Sequence, residues 1–342
     1  MRTVIAYNES HREHFSPGHV ERPERLDAVM TRLEKNPTWK YLRRIDAAPA
    51  TERDLLLVHA SEHVRAVRDA AERGPTRLDP DTYVTPASYR AALDAAGCAV
   101  SVTRAVLDGH AARGFAAIRP PGHHATADRA MGFCLFSNAS IAARWAQNEA
   151  GVDRVLIVDF DVHHGNGTQD IFYEDPRVAY VSVHQSPLYP GTGQLRECGR
   201  GAGDGTTYNV PVPSGTGDAA YERIFGSILR PLALRFRPEL ILLSAGYDAH
   251  WKDPLGGLRL TTSGFASIAR EIASWSDVCC DGRLVALMEG GYDADALASS
   301  VAATVEVLYD PEADVADPIG PPPGSDMDVD AYLDDVAAHL GA

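Results

Sequence analysis

Three stretches of this chain place carboxylates and imidazoles where they can do chemistry. In Val158-Asp159-Phe160-Asp161-Val162-His163-His164-Gly165-Asn166-Gly167, the apolar run Val155 to Val158 leads into a glycine-rich loop. That is the pattern of a buried parallel strand at its carboxyl end. Side chains two apart on an extended backbone share a face, so Asp159, Asp161 and His163 point the same way. A carboxylate and an imidazole so placed can hold one metal ion; a polar loop that merely caps a strand is the competing reading.

The second stretch, Arg119-Pro120-Pro121-Gly122-His123-His124-Ala125, follows the apolar strand Phe115 to Ile118. A rigid turn that projects two imidazoles from a strand end, where α/β folds bind ligands, reads as acid/base machinery. The third, Ser244-Ala245-Gly246-Tyr247-Asp248, ends the strand Leu240 to Leu243 and runs on to Asp253-Pro254-Leu255-Gly256-Gly257. Asp248 supplies a third protein ligand and leaves a fourth position for water. Finally, Leu287-Met288-Glu289-Gly290-Gly291-Tyr292 sets a tyrosine past another strand, beside glycines that let the backbone approach a ligand.

These segments need a scaffold, and the chain of 342 residues, 45% hydrophobic, is long enough to build one. Strand-like runs at Thr3 to Tyr7, Phe115 to Ile118, Arg154 to Phe160, Val178 to Val183, Leu240 to Ser244 and Leu284 to Met288 alternate with helical patterns. The alternation predicts a single-domain α/β fold with a mostly parallel sheet. Tyr221, Ile224, Phe225, Ile228, Leu229 and Leu232 fall at helical spacing, as do Phe265, Ile268, Ala269 and Ile272, so both segments are expected as helices packed on the sheet. Pro231 should kink or end the first. Pro318 to Gly324 reads as a linker before the acidic segment Asp326 to Asp335. The expected organisation is a catalytic domain over 1–315 and a C-terminal extension over 316–342, packed on or loosely attached to it.

A net charge of −15 argues against nucleic acid as a partner and is compatible with a cationic substrate. No run approaches a membrane span and no signal pattern opens the chain, so a cytoplasmic location is expected. Five cysteines without paired spacing argue against a disulfide framework. Gly199 to Gly205 neither follows a strand nor opens a helix as a phosphate cradle does, and His59 and His63 lack the metalloprotease order, so a loop and a partly buried structural pair are expected. His250, next to the Asp248 segment, is a candidate for the pocket rim only.

Together, Arg-Pro-Pro-Gly-His-His, Asp-Phe-Asp-Val-His-His-Gly-Asn-Gly-Thr-Gln, Ala-Gly-Tyr-Asp and Glu-Gly-Gly-Tyr, in this order, resemble the zinc-dependent histone deacetylase family. His-Val-Glu-Arg-Pro-Glu-Arg at 19–25, Gly-Phe-Cys at 132–134 and Tyr-Pro-Gly-Thr-Gly at 189–193 extend the match. Asn166, where class I members carry aspartate, makes the chain more similar to class II and bacterial deacetylase-like amidohydrolases, relatives of the acetylpolyamine amidohydrolases.

The resemblance implies an arginase-like open fold around an eight-stranded parallel sheet with helices on both faces. It implies one zinc per chain on Asp161, His163 and Asp248, with Asp159 holding His123 and Asn166 orienting His124. It further implies potassium, bound by Asp159 with the carbonyls of Asp161, His163 and Val183 and the Ser182 hydroxyl, and a remote cation site on carbonyls around Phe172, Asp175 and Val178. Phe133 and Tyr189 match the aromatics that flank an acetyl-lysine stem; Gly132 leaves room between them, and Leu255 and Gly291 complete the expected substrate site. Asp81 either accepts hydrogen bonds from a substrate backbone or shapes a turn.

The implied activity is hydrolysis of an acetyl or short acyl group from lysine in proteins or peptides, releasing acetate and a free amine. His124 would act as base, and Tyr292 would donate to the developing oxyanion. Acetylpolyamines or another small acetylated amine are the alternative substrates. Leu255 disfavours them, since it cannot offer the acidic gatekeeper some polyamine-selective relatives use. A non-catalytic acyl-lysine-binding module is expected to lack the tandem histidines or the tyrosine, and all are present. A binuclear arginase-like site needs a carboxylate two residues after His163, where Gly165 stands. A monomer and a homodimer are both compatible with the sequence.

Overall fold

The apolar runs become strands because helices cover both faces of the sheet they form. The computed structural model describes residues 3–7 and 9–342. Its strands are β1 (Thr3–Tyr7), β2 (Arg43–Arg44), β3 (Thr76–Arg77), β4 (Tyr83–Val84), β5 (Arg113–Ala117), β6 (Val155–Asp159), β7 (Val178–Gln185), β8 (Thr207–Val212), β9 (Leu240–Ala245) and β10 (Leu284–Met288). Eight of them form one sheet in the order β2-β1-β5-β10-β9-β6-β7-β8, with every neighbouring pair parallel. β3 and β4 make a separate antiparallel pair. The helices are α1 (Glu24–Lys35), α2 (Glu52–Leu55), α3 (Ser61–Arg73), α4 (Ser88–Leu107), α5 (Asn138–Glu149), α6 (Asn166–Phe172), α7 (Asp218–Arg223), α8 (Arg230–Phe236), α9 (Thr262–Cys280), α10 (Ala294–Tyr309) and α11 (Asp330–Leu340).

The sheet thus has its expected eight strands. The two that hydrophobic runs did not show, β2 and β8, lie at its edges. β2 is a pair of exposed arginines, and β8 carries Pro211, which an edge strand tolerates because it has no ladder donor to supply. Among the helices, α9 starts where the Thr261 hydroxyl accepts from Gly264 N at 3.1 Å, and α10 starts where Asp293 accepts from Ala296 N at 2.9 Å. The α9 stripe Phe265, Ile268, Ala269 and Ile272 is buried, as periodicity predicts.

Pro231 does not end its helical stretch, which continues through it to Phe236. Between α7 and α8 the chain widens into a π-helical stretch, Ile224–Leu229, and Pro231 occupies the first turn of α8, where its missing N–H costs little. The acidic C-terminal segment lies against the same body. Arg259 donates to Asp326 at 2.8 Å and to the Pro323 carbonyl at 2.8 Å, Arg223 pairs with Asp330 at 3.0 Å, and α11 buries Leu333 and Val336.

The four central strands are β5, β10, β9 and β6. Their carboxyl ends are followed by His123 and His124, by Tyr292, by Asp248, and by Asp161 and His163, respectively. Four segments far apart in sequence therefore converge at one crevice.

Candidate active site

Asp161, His163 and Asp248 come together as a cluster of potential metal ligands whose donor atoms all lie within 4.8 Å of one another. Asp161 is turned inward by two backbone donors, His163 N at 3.0 Å to Oδ1 and Gly290 N at 2.9 Å to Oδ2. Asp248 Oδ1 accepts from Val162 N at 2.9 Å, while its Oδ2 is buried without a hydrogen bond, 3.3 Å from His163 Nδ1. Two buried carboxylates facing one another, one oxygen unsatisfied, are unfavourable without a cation. The field they set up raises His163 to about 10, overcoming the burial that opposes its charge. This donor set fits a divalent ion of the zinc type. Gly246 and Gly290 make the approach possible, since a Cβ at either would sit within 2.1 Å of an oxygen of Asp161 or Asp248.

Across the crevice stand the two histidines, both buried. His123 Nδ1 meets Asp159 Oδ2 at 3.0 Å, and His124 Nδ1 meets Asn166 Oδ1 at 2.9 Å. Burial disfavours both imidazolium ions, but the partners send the two rings in opposite directions. Asp161 and Asp159 outweigh burial at His123 and hold it at about 10. For His124, burial and then the neighbouring charges of His123 and His163 push the pKa well below the ordinary value. The surrounding carboxylates thus favour the charged form of His123, while burial and the neighbouring imidazoles favour the neutral form of His124.

The mouth is a cavity of about 240 Å³ lined by Asp81, His124, Gly132, Phe133, His163, Leu188, Tyr189, Leu255 and Tyr292. Tyr189 stands edge-on to His124 at 5.1 Å, and Phe133 edge-on to Tyr292 at 5.7 Å. Gly132 is required here: its φ is +55°, and a Cβ would lie 2.4 Å from His124 Cδ2. Asp81 is exposed at the rim, its N–H donating to Asp79 Oδ1 at 2.9 Å in a turn. Burial raises the Tyr292 hydroxyl well above the ordinary tyrosine value, so it stays protonated and can donate.

The histone deacetylase domain model matches residues 19–308 of this sequence. The chain belongs to the histone deacetylase family. This deacetylase is 42% identical over 298 residues to a probable deacetylase of Archaeoglobus fulgidus, spanning 86% of this chain and 82% of that protein. It is 39% identical over 315 residues to the human polyamine deacetylase HDAC10, spanning 88% of this chain and 46% of that one. The crystal structure of the HDA15 HD domain superposes with a TM-score of 0.89 at 36% identity, covering 99% of this chain and 93% of that one.

The deacetylase site also rests on residues to which the sequence assigned no role. Asp159 is held by the Tyr180 hydroxyl at 3.0 Å and by Asp161 N at 3.1 Å as well as by His123. Glu289, buried beneath the tandem histidines, accepts from Gly122 N at 2.6 Å and His123 N at 3.2 Å, and burial lifts its pKa to about 7. Asp253 accepts from Tyr292 N at 2.6 Å and Leu255 N at 3.0 Å, joining the tyrosine to the rim. Behind Tyr292, Arg25 lies 4.7 Å from the ring centroid and donates to the carbonyls of Gly291 and Glu289, both at 2.6 Å. Arg25 is held in turn by Glu21, which also pairs with Arg119 at 2.6 Å.

Other candidates prove structural. His59 bonds the Thr126 carbonyl and Ser137 N, both at 2.9 Å, and His63 bonds the Leu135 carbonyl at 2.9 Å. His250 does not reach the rim; it is buried, stacked near Trp251 and Phe265. Gly199 to Gly205 is a loop with one short helical turn. Among the described residues, no helix is long and apolar enough to cross a membrane.

Proposed function

We propose that this deacetylase removes acetyl, or another short acyl group, from lysine side chains of proteins or peptides, with one zinc ion on Asp161, His163 and Asp248. The observation that carries the reading is the opposed pair of dyads, His123 with Asp159 and His124 with Asn166, facing the ligand cluster. Zinc there supplies Lewis acidity, polarising a carbonyl and lowering the pKa of water. His124 takes a proton from the attacking water, because burial and the neighbouring imidazoles keep its ring neutral while Asn166 orients it without adding a full negative charge. Tyr292 donates a hydrogen bond to the oxygen that gains charge. His123 supplies positive charge beside His124, which returns its proton to the leaving amine. Phe133 and Tyr189 flank the substrate stem and exclude water from it, with Gly132, Leu255 and Gly291 shaping the path and Asp81 at its rim.

Potassium is proposed on Asp159, the carbonyls of Asp161, His163 and Val183, and the Ser182 hydroxyl. Two observations support it. Ser182 lies directly opposite Asp159 in the sheet register. His184 Nε2 is 3.0 Å from the Gly193 carbonyl and so carries its proton there, which leaves Nδ1 to accept from the Ser182 hydroxyl at 2.9 Å. The serine oxygen keeps lone pairs free for a cation.

Similarity to a polyamine deacetylase gives the alternative substrate class, acetylated small amines. Leu255 at the mouth favours the peptide, because an apolar side chain offers nothing to a second ammonium. Kinetics of the zinc-loaded protein on an acetyl-lysine peptide and on N-acetylputrescine decide between them. A higher kcat/KM for the peptide is expected, and a large preference for the diamine would overturn the assignment.

A further inference from the structure

After β7 the chain leaves the sheet and does not pair again until β8, and the intervening connection presents Leu188 and Tyr189 to the mouth. Tyr189 is 39% exposed, so packing alone does not hold it. A long surface connection of this kind is mobile unless its backbone is tied down.

The ties lie just beyond the tyrosine. Gly193, with φ +80°, is wedged between two imidazoles: a Cβ there would stand 2.6 Å from the His164 ring and 2.6 Å from His184 Cε1. His184 donates to the Gly193 carbonyl at 3.0 Å, and Glu197 accepts from Gly193 N and Gln194 N, both at 3.1 Å. Gln169 Nε2 donates to Glu197 at 2.8 Å, so Gln169 turns its carbonyl oxygen to His164 Nε2 at 3.0 Å. His164 must therefore donate from Nε2 and accept at Nδ1, where the Thr192 hydroxyl lies at 2.7 Å. Each polar contact fixes the next, and the chain of bonds ends on the loop next to the aromatic wall.

We propose that His164 and His184 clamp Gly193, and through it set Tyr189 against His124, making the clamp and Thr192 positioning residues of the substrate channel. The proposal rests on the deacetylase reading only in taking Tyr189 as a channel wall. The clamp binds no metal and transfers no proton. Its role is to keep the wall preformed, so that substrate binding does not have to order it.

Thr192 is exposed and its replacement should not unfold the protein. Thr192→Val keeps its shape but loses the donor to His164; Thr192→Ser keeps the donor. Thr192→Val is expected to raise KM for the acetyl-lysine peptide about fivefold with kcat and bound zinc unchanged, with Thr192→Ser close to wild type. Gly193→Ala should raise KM further. Hydrogen exchange of the Gly193 and Gln194 amides should quicken in Thr192→Val and not in Thr192→Ser. Unchanged exchange in both Thr192→Val and Gly193→Ala would overturn the clamp, as would a fall in kcat accompanied by zinc loss. Wild-type protein inactive on both substrates would refute the deacetylase reading instead, while the exchange measurement would still decide the clamp.

Discussion

Asn166 Oδ1 lies 2.9 Å from His124 Nδ1, in the same relation that Asp159 bears to His123. The amide oxygen can only accept, so His124 carries its proton on Nδ1 and presents the Nε2 lone pair to the pocket. An amide fixes the tautomer without the charge that would make the ring a standing cation.

Asn166→Asp tests that difference. A carboxylate at 2.9 Å stabilises the imidazolium, so the pKa of His124 should rise. The base must be neutral to act, and the acid limb of the kcat/KM profile is expected to move to higher pH by about one unit or more. At pH 7 this appears as lower activity that recovers on going alkaline. An unmoved limb would place the base elsewhere.

Tyr292→Phe removes one donor and little else. Phe133 still packs on the ring, and Arg25 still holds the Gly291 carbonyl. Because the lost bond forms as charge develops, kcat is expected to fall about 10²- to 10³-fold with KM and zinc content nearly unchanged. Steady-state kinetics with metal analysis of the same sample check this.

Much of the site was legible because its ligands directly follow apolar strands, although β6 ends at Asp159 and Asp161 and His163 lie in the bend just past it, not on the extended backbone that a period of two assumes. Reading from the strand ends reaches Asp161 and His163 on one segment and Asp248 on another, and the tandem histidines are conspicuous beside them. What it could not reach is the support. Tyr180 is an ordinary inward-facing strand residue until the fold sets its hydroxyl against Asp159. Glu289 was part of a matched motif, yet its partners, Gly122 and His123, lie on another strand's loop. β8 carries a proline and polar residues because an edge strand needs fewer apolar contacts, so periodicity is weak there.

Zinc should stabilise the fold as well as activate it. At a hundredfold excess over Kd, binding to the native state contributes about 2.7 kcal/mol. The metal relieves the opposition of Asp161 and Asp248, whose Oδ2 has no hydrogen bond. Chelation is therefore expected to abolish activity and lower Tm, with zinc restoring both. Asp248→Asn removes one charge from the cluster, so its Tm should hardly respond to zinc. A full zinc response in that variant would argue against the assigned ligands.

Glu21 joins stability to catalysis. It is fully buried between Arg119 and Arg25, and although burial opposes ionisation, the two guanidiniums hold its pKa below the usual carboxylate value. A depressed carboxylate contributes stability that is present above its unfolded value near 4.5 and is lost as pH falls through the folded value. Glu21→Gln leaves two buried guanidiniums under-compensated and is expected to cost about 3 to 5 kcal/mol at neutral pH. The gap between wild type and variant should narrow as pH falls below about 4.5, because the unfolded wild-type chain then takes up a proton that the folded, ion-paired Glu21 does not. Denaturant melts across that range measure it. Arg25 also braces Tyr292, so the variant should lose kcat at neutral pH even where it remains folded. Full kcat in a destabilised variant would separate the ion network from the oxyanion donor.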